Sequence, residues 1–305
     1  MFGSQTQETF LKYQEIILAK LELEPVWFAL LSRRNMQKTD LDVERFQVEK
    51  LKVEVHPSRE AAGAAAAKAS AEALKELAAS GKNVAVIFAT GASQIDALIA
   101  LTSIPGLPWK QVDGFHMDDY VGLPLDHPAS FRAYLEEKLV KRVPMHSFAH
   151  IDGLAPDPEQ TCRDYAKQLR AANPQLCLLG IGENGHLAFN DPGEADFNDP
   201  LDVKIVHLDE PCRRQQAGEG WFKSVDEIPK TAITVTMPAL FRVPKLVLSV
   251  VGTRKANIIR RTFDDPITTA CPSTILRTHP DATIFMDREA AAQVQGRFST
   301  NGGKF

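Results

Sequence analysis

Only four cysteines stand in 305 residues, at Cys162, Cys177, Cys212 and Cys271. None has C-x-x-C spacing, and no histidines stand at metal-ligand spacing beside them. That argues against a zinc framework and against a redox dithiol, and scattered thiols fit a reducing cytosol. Basic runs are missing too. The net charge is −4, which argues against a nucleic-acid partner, because binding to a phosphate backbone draws on a basic surface. No apolar run reaches the length of a membrane span. No basic stretch leads into an apolar core at the start, so no signal peptide is expected and a cytoplasmic location follows. Internal repeats and low-complexity linkers are also lacking.

What is present is an ordinary globular composition, 44 % hydrophobic and 24 % charged, in a chain long enough to bury a core without staples. Residues 1–46 read as a helical arm. Phe10, Tyr13, Ile16 and Ile17 recur at helical spacing between Thr9 and Leu23. Pro25 interrupts them, and Val26 to Leu31 forms a second apolar helical stretch. An arm docked on the main domain is favoured over a partner-binding or DNA-binding helix pair. Residues 47–305 read as one domain.

That domain opens with an alternating strand, Leu51 to Val55, followed by Pro57-Ser58 and an Ala-rich helix to about Ala79. Val84 to Phe88, Leu176 to Ile181 and Leu246 to Val251 are continuous apolar runs, as expected of strands buried on both faces. Val112 to Met117 is a further candidate strand. Helices are expected over Gln94 to Leu101, Ser130 to Leu139 and Thr161 to Ala172. Strand, glycine turn and helix recur in that order. The expected fold class is α/β: a Rossmann-like, doubly wound, mostly parallel sheet with an N-terminal helical extension.

Ligands bind such sheets at the carboxyl ends of the strands. Three polar loops lie there, and each has a plain structural reading beside a chemical one. Thr90-Gly91-Ala92-Ser93 opens a helix, where backbone N–H groups and the dipole favour an anion such as phosphate. Asp118-Asp119 follows a strand, where side chains alternate, so one carboxylate is free to face a ligand and move a proton. The same pair would serve as a turn cap. Gly182-Glu183-Asn184-Gly185-His186 precedes Asp191, which is placed to orient the imidazole. A carboxylate-held histidine is an acid–base device near neutral pH. Lys255 after a later strand is a fourth contributor.

Together these segments resemble glucosamine-6-phosphate deaminase, within the deaminase and 6-phosphogluconolactonase superfamily. The likeness runs from about Glu49 to Asp287. Its most specific parts are Met117 to Pro124, then His127-Pro128 with Ser130, and Gly182 to Pro192, which is similar to G-x-G-x-D-G-H-I-A-F-N-E-P. Gly252 to Ala256 and Thr278-His279-Pro280 also fit. The resemblance implies that Asp118 shuttles a proton between C1 and C2 and that His186 assists ring opening, supported by Asp191 and Asn184. It implies substrate contacts at Thr90, Gly91, Ala92, Ser93, Asp119, Gly185 and Lys255. It implies no metal and no organic cofactor, and a small sugar phosphate as partner; a homo-oligomer stays open. The implied reaction is isomerisation with deamination of a hexosamine 6-phosphate, foremost glucosamine 6-phosphate to fructose 6-phosphate plus ammonia, through an enediol-type intermediate.

Three departures bear on that reading. Asn184 stands where the family has aspartate, and it cannot act as a base. Asp191 is one methylene shorter than the usual glutamate. The family's phosphate-contacting arginine has no match near Trp221-Phe222, and Arg213 or Arg214 is the expected substitute. In allosteric bacterial members a basic stretch follows A-F-N-E-P; here residues 193–202 carry four carboxylates and no Lys or Arg. Two other functions remain: a sugar-phosphate sensor with the arm as its output, and lactonase-type hydrolysis.

Overall fold

The computed structural model describes residues 42–208, 210–218, 220 and 222–296. The helices expected before residue 42 lie outside the described residues. The last positions of the expected arm are strand instead. β1 (Glu44–Val48) pairs antiparallel with β2 (Leu51–His56), with Phe46 and Val48 turned inward. The tight reversal at Glu49-Lys50 uses a left-handed backbone at Glu49, φ 54°.

Beyond this hairpin the chain alternates strand and helix. Ser58 caps α1 (Arg59–Ala78), its Oγ accepting from the Ala61 N–H at 3.2 Å. There follow β3 (Val84–Phe88), α2 (Ile95–Ser103), β4 (Val112–His116), α3 (Phe131–Lys138) and β6 (Ser147–Ala149). Next come α4 (Pro158–Ala172), β7 (Leu176–Leu179), β10 (Lys245–Val250), α7 (Ala256–Asp264) and β11 (Ala282–Asp287). The main sheet has eight strands in the order β1-β2-β11-β10-β7-β3-β4-β6, parallel except for β1. From β3 the chain winds one way through β4 and β6, then returns to the other side through β7, β10 and β11. The strand order therefore reverses between β3 and β7, the switch point where such sheets hold ligands.

The apolar runs explain the core. On β3, Ala85 and Ile87 face one hydrophobic cluster, while Val84, Val86 and Phe88 face the other. Both faces are covered, which is why this strand has no polar alternation. Burying one such side chain stabilises by roughly 1.5–3 kcal/mol. A smaller antiparallel sheet of β5 (Asp118–Tyr120), β9 (Thr231–Val235) and β8 (Val203–His207) branches from β4 after Met117 alone. The short α6 (Met237–Phe241) follows β9, and α5 (Glu210–Gly218) follows β8. A third cluster, including Tyr120, Phe189 and Phe222, packs with this sheet. Among the described residues no helix is long and apolar enough to cross a membrane.

Candidate active site

The loops after β3, β4, β7 and β10 converge on one cavity of about 400 Å³ at the switch point. That volume lies within the range of pockets for small ligands. Two of the loops share one backbone form. Gly91 has φ 100° and ψ 164° and leads through a 3-10 turn, Ala92–Gln94, into α2. Gly252 has φ 93° and ψ 157° and leads through Thr253–Lys255 into α7. The positive φ suits glycine, and each turn directs a helix N-terminus toward the cavity. The first loop is braced by Ser249, whose Oγ donates to Ser93 O at 2.8 Å, and by the Tyr134 hydroxyl, which donates to Gly91 O at 3.2 Å. The second is braced by Asp287, which accepts from the Gly252 N–H at 3.0 Å. Thr90, Gly91, Ala92, Ser93 and Lys255 all line the cavity. Lys255 Nζ donates to Ile181 O at 2.8 Å, which links the third loop to the second.

Asp118 and His186 line the same cavity. Asp118 is buried at the start of β5. Burial pushes its carboxyl up to about 7; the charge of Asp191 adds to this and His186 opposes it. His186 lies across Gly182 so closely that a Cβ there would sit 2.1 Å from Nε2. Glycine at 182 is thus what lets the imidazole reach its place. His186 Nδ1 faces Asp191 Oδ1 at 2.7 Å. Burial alone would lower its pKa, but the charge and hydrogen bond of Asp191 reverse this and raise it.

Asn184 ties the group together. Its Nδ2 donates to Asp191 Oδ1 at 2.6 Å, and its Oδ1 accepts from the His186 N–H at 3.0 Å. Both contacts are made by a neutral amide, so no charge at position 184 is required to hold this arrangement. Ala188 also lines the cavity and holds a left-handed backbone, φ 53°. Non-glycine residues keep such strain only where the surroundings enforce it.

The remaining expected residues lie elsewhere. Asp191 and Asn184 stand behind His186 rather than in the cavity wall. Asp119 turns to the other face of β5 and accepts from the Tyr120 N–H at 2.9 Å; burial pushes it up to about 8. Gly185 is turned inward, its carbonyl accepting from the Ser273 N–H at 2.8 Å. Arg213 does not line the cavity, because its side chain runs back from α5 to donate to Val225 O at 3.3 Å. Arg214 is exposed and pairs with Glu210 one turn earlier on α5.

Sequence reasoning missed six polar residues of the cavity: Arg59, Glu183, Gln216, Thr253, Arg254 and Glu289. Arg59 Nε pairs with Asp96 at 2.8 Å, and Arg254 pairs with Glu183 at 2.5 Å and donates to Gly218 O at 3.0 Å. Arg254 directly precedes Lys255 in the glycine-led turn, and that adjacency was the available signal. Arg59 and Gln216 carry none in the sequence.

Fold and site define a class: a Rossmann-like α/β protein whose switch-point cavity is lined by two glycine-led turns, Asp118 and His186. Over residues 57–285 the chain matches the family described as Glucosamine-6-phosphate isomerases/6-phosphogluconolactonase, and it belongs to that family of enzymes. The glucosamine-6-phosphate deaminase of Thermoanaerobacter pseudethanolicus is 33 % identical over 235 residues, 74 % of this chain and 90 % of that protein. Its counterpart from Halothermothrix orenii is 35 % identical over 189 residues, 61 % of this chain and 76 % of that one. The solved structure of a monomeric glucosamine-6-phosphate deaminase is similar with a TM-score of 0.72 at 28 % identity, covering 79 % of this chain and 99 % of that one. The 6-phosphogluconolactonase of Trypanosoma brucei is similar with a TM-score of 0.67 at 16 % identity, covering 82 % of this chain and 100 % of that one, a likeness of fold.

Proposed function

We propose that this protein converts a hexosamine 6-phosphate, foremost glucosamine 6-phosphate, into the ketose 6-phosphate and ammonia. The observation that carries this is a buried carboxylate, Asp118, lining the same cavity as a carboxylate-held imidazole, His186, two glycine-led helix N-termini and Lys255. The phosphate dianion is held by the Thr90–Ser93 turn and by Lys255 through charge-assisted hydrogen bonds. His186 transfers the proton that opens the ring to the free aldehyde. Asp118 then takes the C2 proton and returns it to C1. The intermediate is of the enediol type with nitrogen on C2. Protonation at C1 leaves a C2 imine, which water hydrolyses to the ketone and ammonia. Substrate plus water thus balances ketose phosphate plus ammonia.

The raised pKa of Asp118 suits this task, because a base of near-neutral pKa both ionises at working pH and returns its proton readily. Lactone hydrolysis has no need of such a shuttle at the sugar carbons, so Asp118 favours the deaminase reading over the hydrolase one. The neutral Asn184 holds His186 and Asp191 in place, which favours catalysis over a sensor with a weakened site. Residues 1–46 have no assigned part in the chemistry. Ammonia release measured over a panel of hexosamine 6-phosphates tests the proposal. Binding without release supports the sensor, and hydrolysis of 6-phosphogluconolactone in its place supports the hydrolase.

A further inference from the structure

Gln216 is the cavity-lining residue that α5 contributes, and it is 7 % exposed. Its Oε1 accepts from the Tyr120 hydroxyl at 3.1 Å. That contact occupies the carbonyl end of the amide, and its NH2 has no hydrogen-bond partner among the described residues. Tyr120 is itself held on three sides: its ring lies 4.9 Å from that of Phe131, 5.1 Å from Phe189 and 5.6 Å from Phe222. It is 1 % exposed. Tyr120 also lies two residues after Asp118 on β5, so both side chains leave the same face of the strand. A locked phenol therefore orients a buried amide on the Asp118 side of the cavity. Of the other missed polar residues, Arg59 is tied to Asp96 and Arg254 to Glu183.

We propose that Gln216, aimed by Tyr120, donates to hydroxyl oxygens of the substrate's carbon chain and so selects a polyhydroxylated sugar phosphate over a bare phosphate or a short phosphate ester. Gln216 is then a binding and specificity residue, and Tyr120 a positioning residue that acts through it. This deepens the hexosamine phosphate reading, because it adds recognition of the sugar to recognition of the phosphate. A site with oriented amide donors penalises a ligand that lacks acceptors for them.

The test uses two probes that the enzyme cannot turn over: inorganic phosphate and glucitol 6-phosphate, a hexitol phosphate with neither carbonyl nor amine. Calorimetry is run on the whole chain and on Gln216→Leu, Tyr120→Phe and the double variant. The expected result is a loss of about tenfold in affinity for glucitol 6-phosphate in Gln216→Leu, with phosphate affinity within about twofold. Tyr120→Phe gives a smaller loss of the same kind, and the double variant is no worse than Gln216→Leu. Unchanged affinity for glucitol 6-phosphate overturns the proposal, and so do equal losses for both probes, which mark a structural role for α5. If Gln216→Leu does not fold, Tyr120→Phe decides alone, and unchanged glucitol 6-phosphate affinity there overturns the proposal. Ammonia release by the unmodified enzyme is scored separately. Its absence removes the deaminase reading, while the binding data alone decide the role of Gln216.

Discussion

Replacing Asp118 with asparagine should remove activity and, at alkaline pH, raise stability. The two side chains have nearly the same shape, so the change acts on ionisation. The carboxyl is pushed from 3.8 to about 7 by burial, with Asp191 adding to the shift and His186 opposing it. A carboxylate whose folded pKa is raised binds its proton more tightly in the native state. Its contribution to stability is therefore full below pH 3.8 and is lost as pH rises toward 7. The whole shift is worth on the order of 4 kcal/mol. Part of it is already lost at pH 5, so the stability advantage of Asp118→Asn should grow by roughly 2–3 kcal/mol between pH 5 and pH 8. Ammonia release should fall by roughly 10²–10⁴-fold, the usual worth of a proton-transferring group. Urea unfolding of both proteins at the two pH values, beside the activity assay, measures both effects. An advantage that does not change with pH would refute the burial argument. Unimpaired turnover would remove Asp118 from the chemistry.

Three other outcomes follow from the same geometry. Asp191→Asn removes the charge that raises His186, so the alkaline limb of the pH–rate profile should move down and kcat should fall roughly tenfold or more; an unmoved limb would separate Asp191 from His186. Lys255→Met should weaken binding of glucosamine 6-phosphate by roughly 10–100-fold, the worth of a hydrogen bond to a charged group; calorimetry giving the unmodified protein equal affinity for glucosamine and its 6-phosphate would refute phosphate recognition. N-acetylglucosamine 6-phosphate should not activate the enzyme, and substrate curves should be hyperbolic. Lys204, just beyond the acidic run, is already engaged by Asp199 at 2.8 Å and by Glu194 O at 2.6 Å, and Arg170 and Arg242 are taken up by Asp202 at 2.7 and 2.5 Å; sigmoidal curves that the effector makes hyperbolic would contradict this.

Much of the sheet is legible in the sequence because its central strands are buried on both faces. Val84–Phe88 has no polar residue, and it is β3 from end to end. The helix starts are legible where caps exist, as at Ser58 and Ser130. The antiparallel strands are harder. β5 is three residues long and contains both aspartates, so neither periodicity nor composition marks it. β1 alternates, but its exposed positions are the charged and polar Glu44, Arg45 and Gln47, so its pattern merges with the preceding arm. In the cavity, glycine turns and the His186–Asp191 spacing are local features that a sequence displays. Arg59 and Gln216 reach the same space through helix packing, with no local mark. Arg213 has the expected charge, yet its side chain is drawn to the Val225 carbonyl. Charge and chain position do not fix which way a long side chain turns.

The central claim is that Asp118 carries hydrogen from C2 to C1 of a hexosamine 6-phosphate while nitrogen is lost. Proton NMR of the reaction with glucosamine 6-phosphate in deuterated water tests this most directly. Asp118 is 6 % exposed, so the proton it takes from C2 is shielded from solvent before it reaches C1. The expected result is one ammonia per fructose 6-phosphate, with the hydrogen from C2 retained at C1 of the product despite the deuterated solvent, and roughly 10²–10⁴-fold slower formation of both products by Asp118→Asn. Absence of ammonia and ketose phosphate from the unmodified enzyme, or equal formation of both by Asp118→Asn, would contradict the claim.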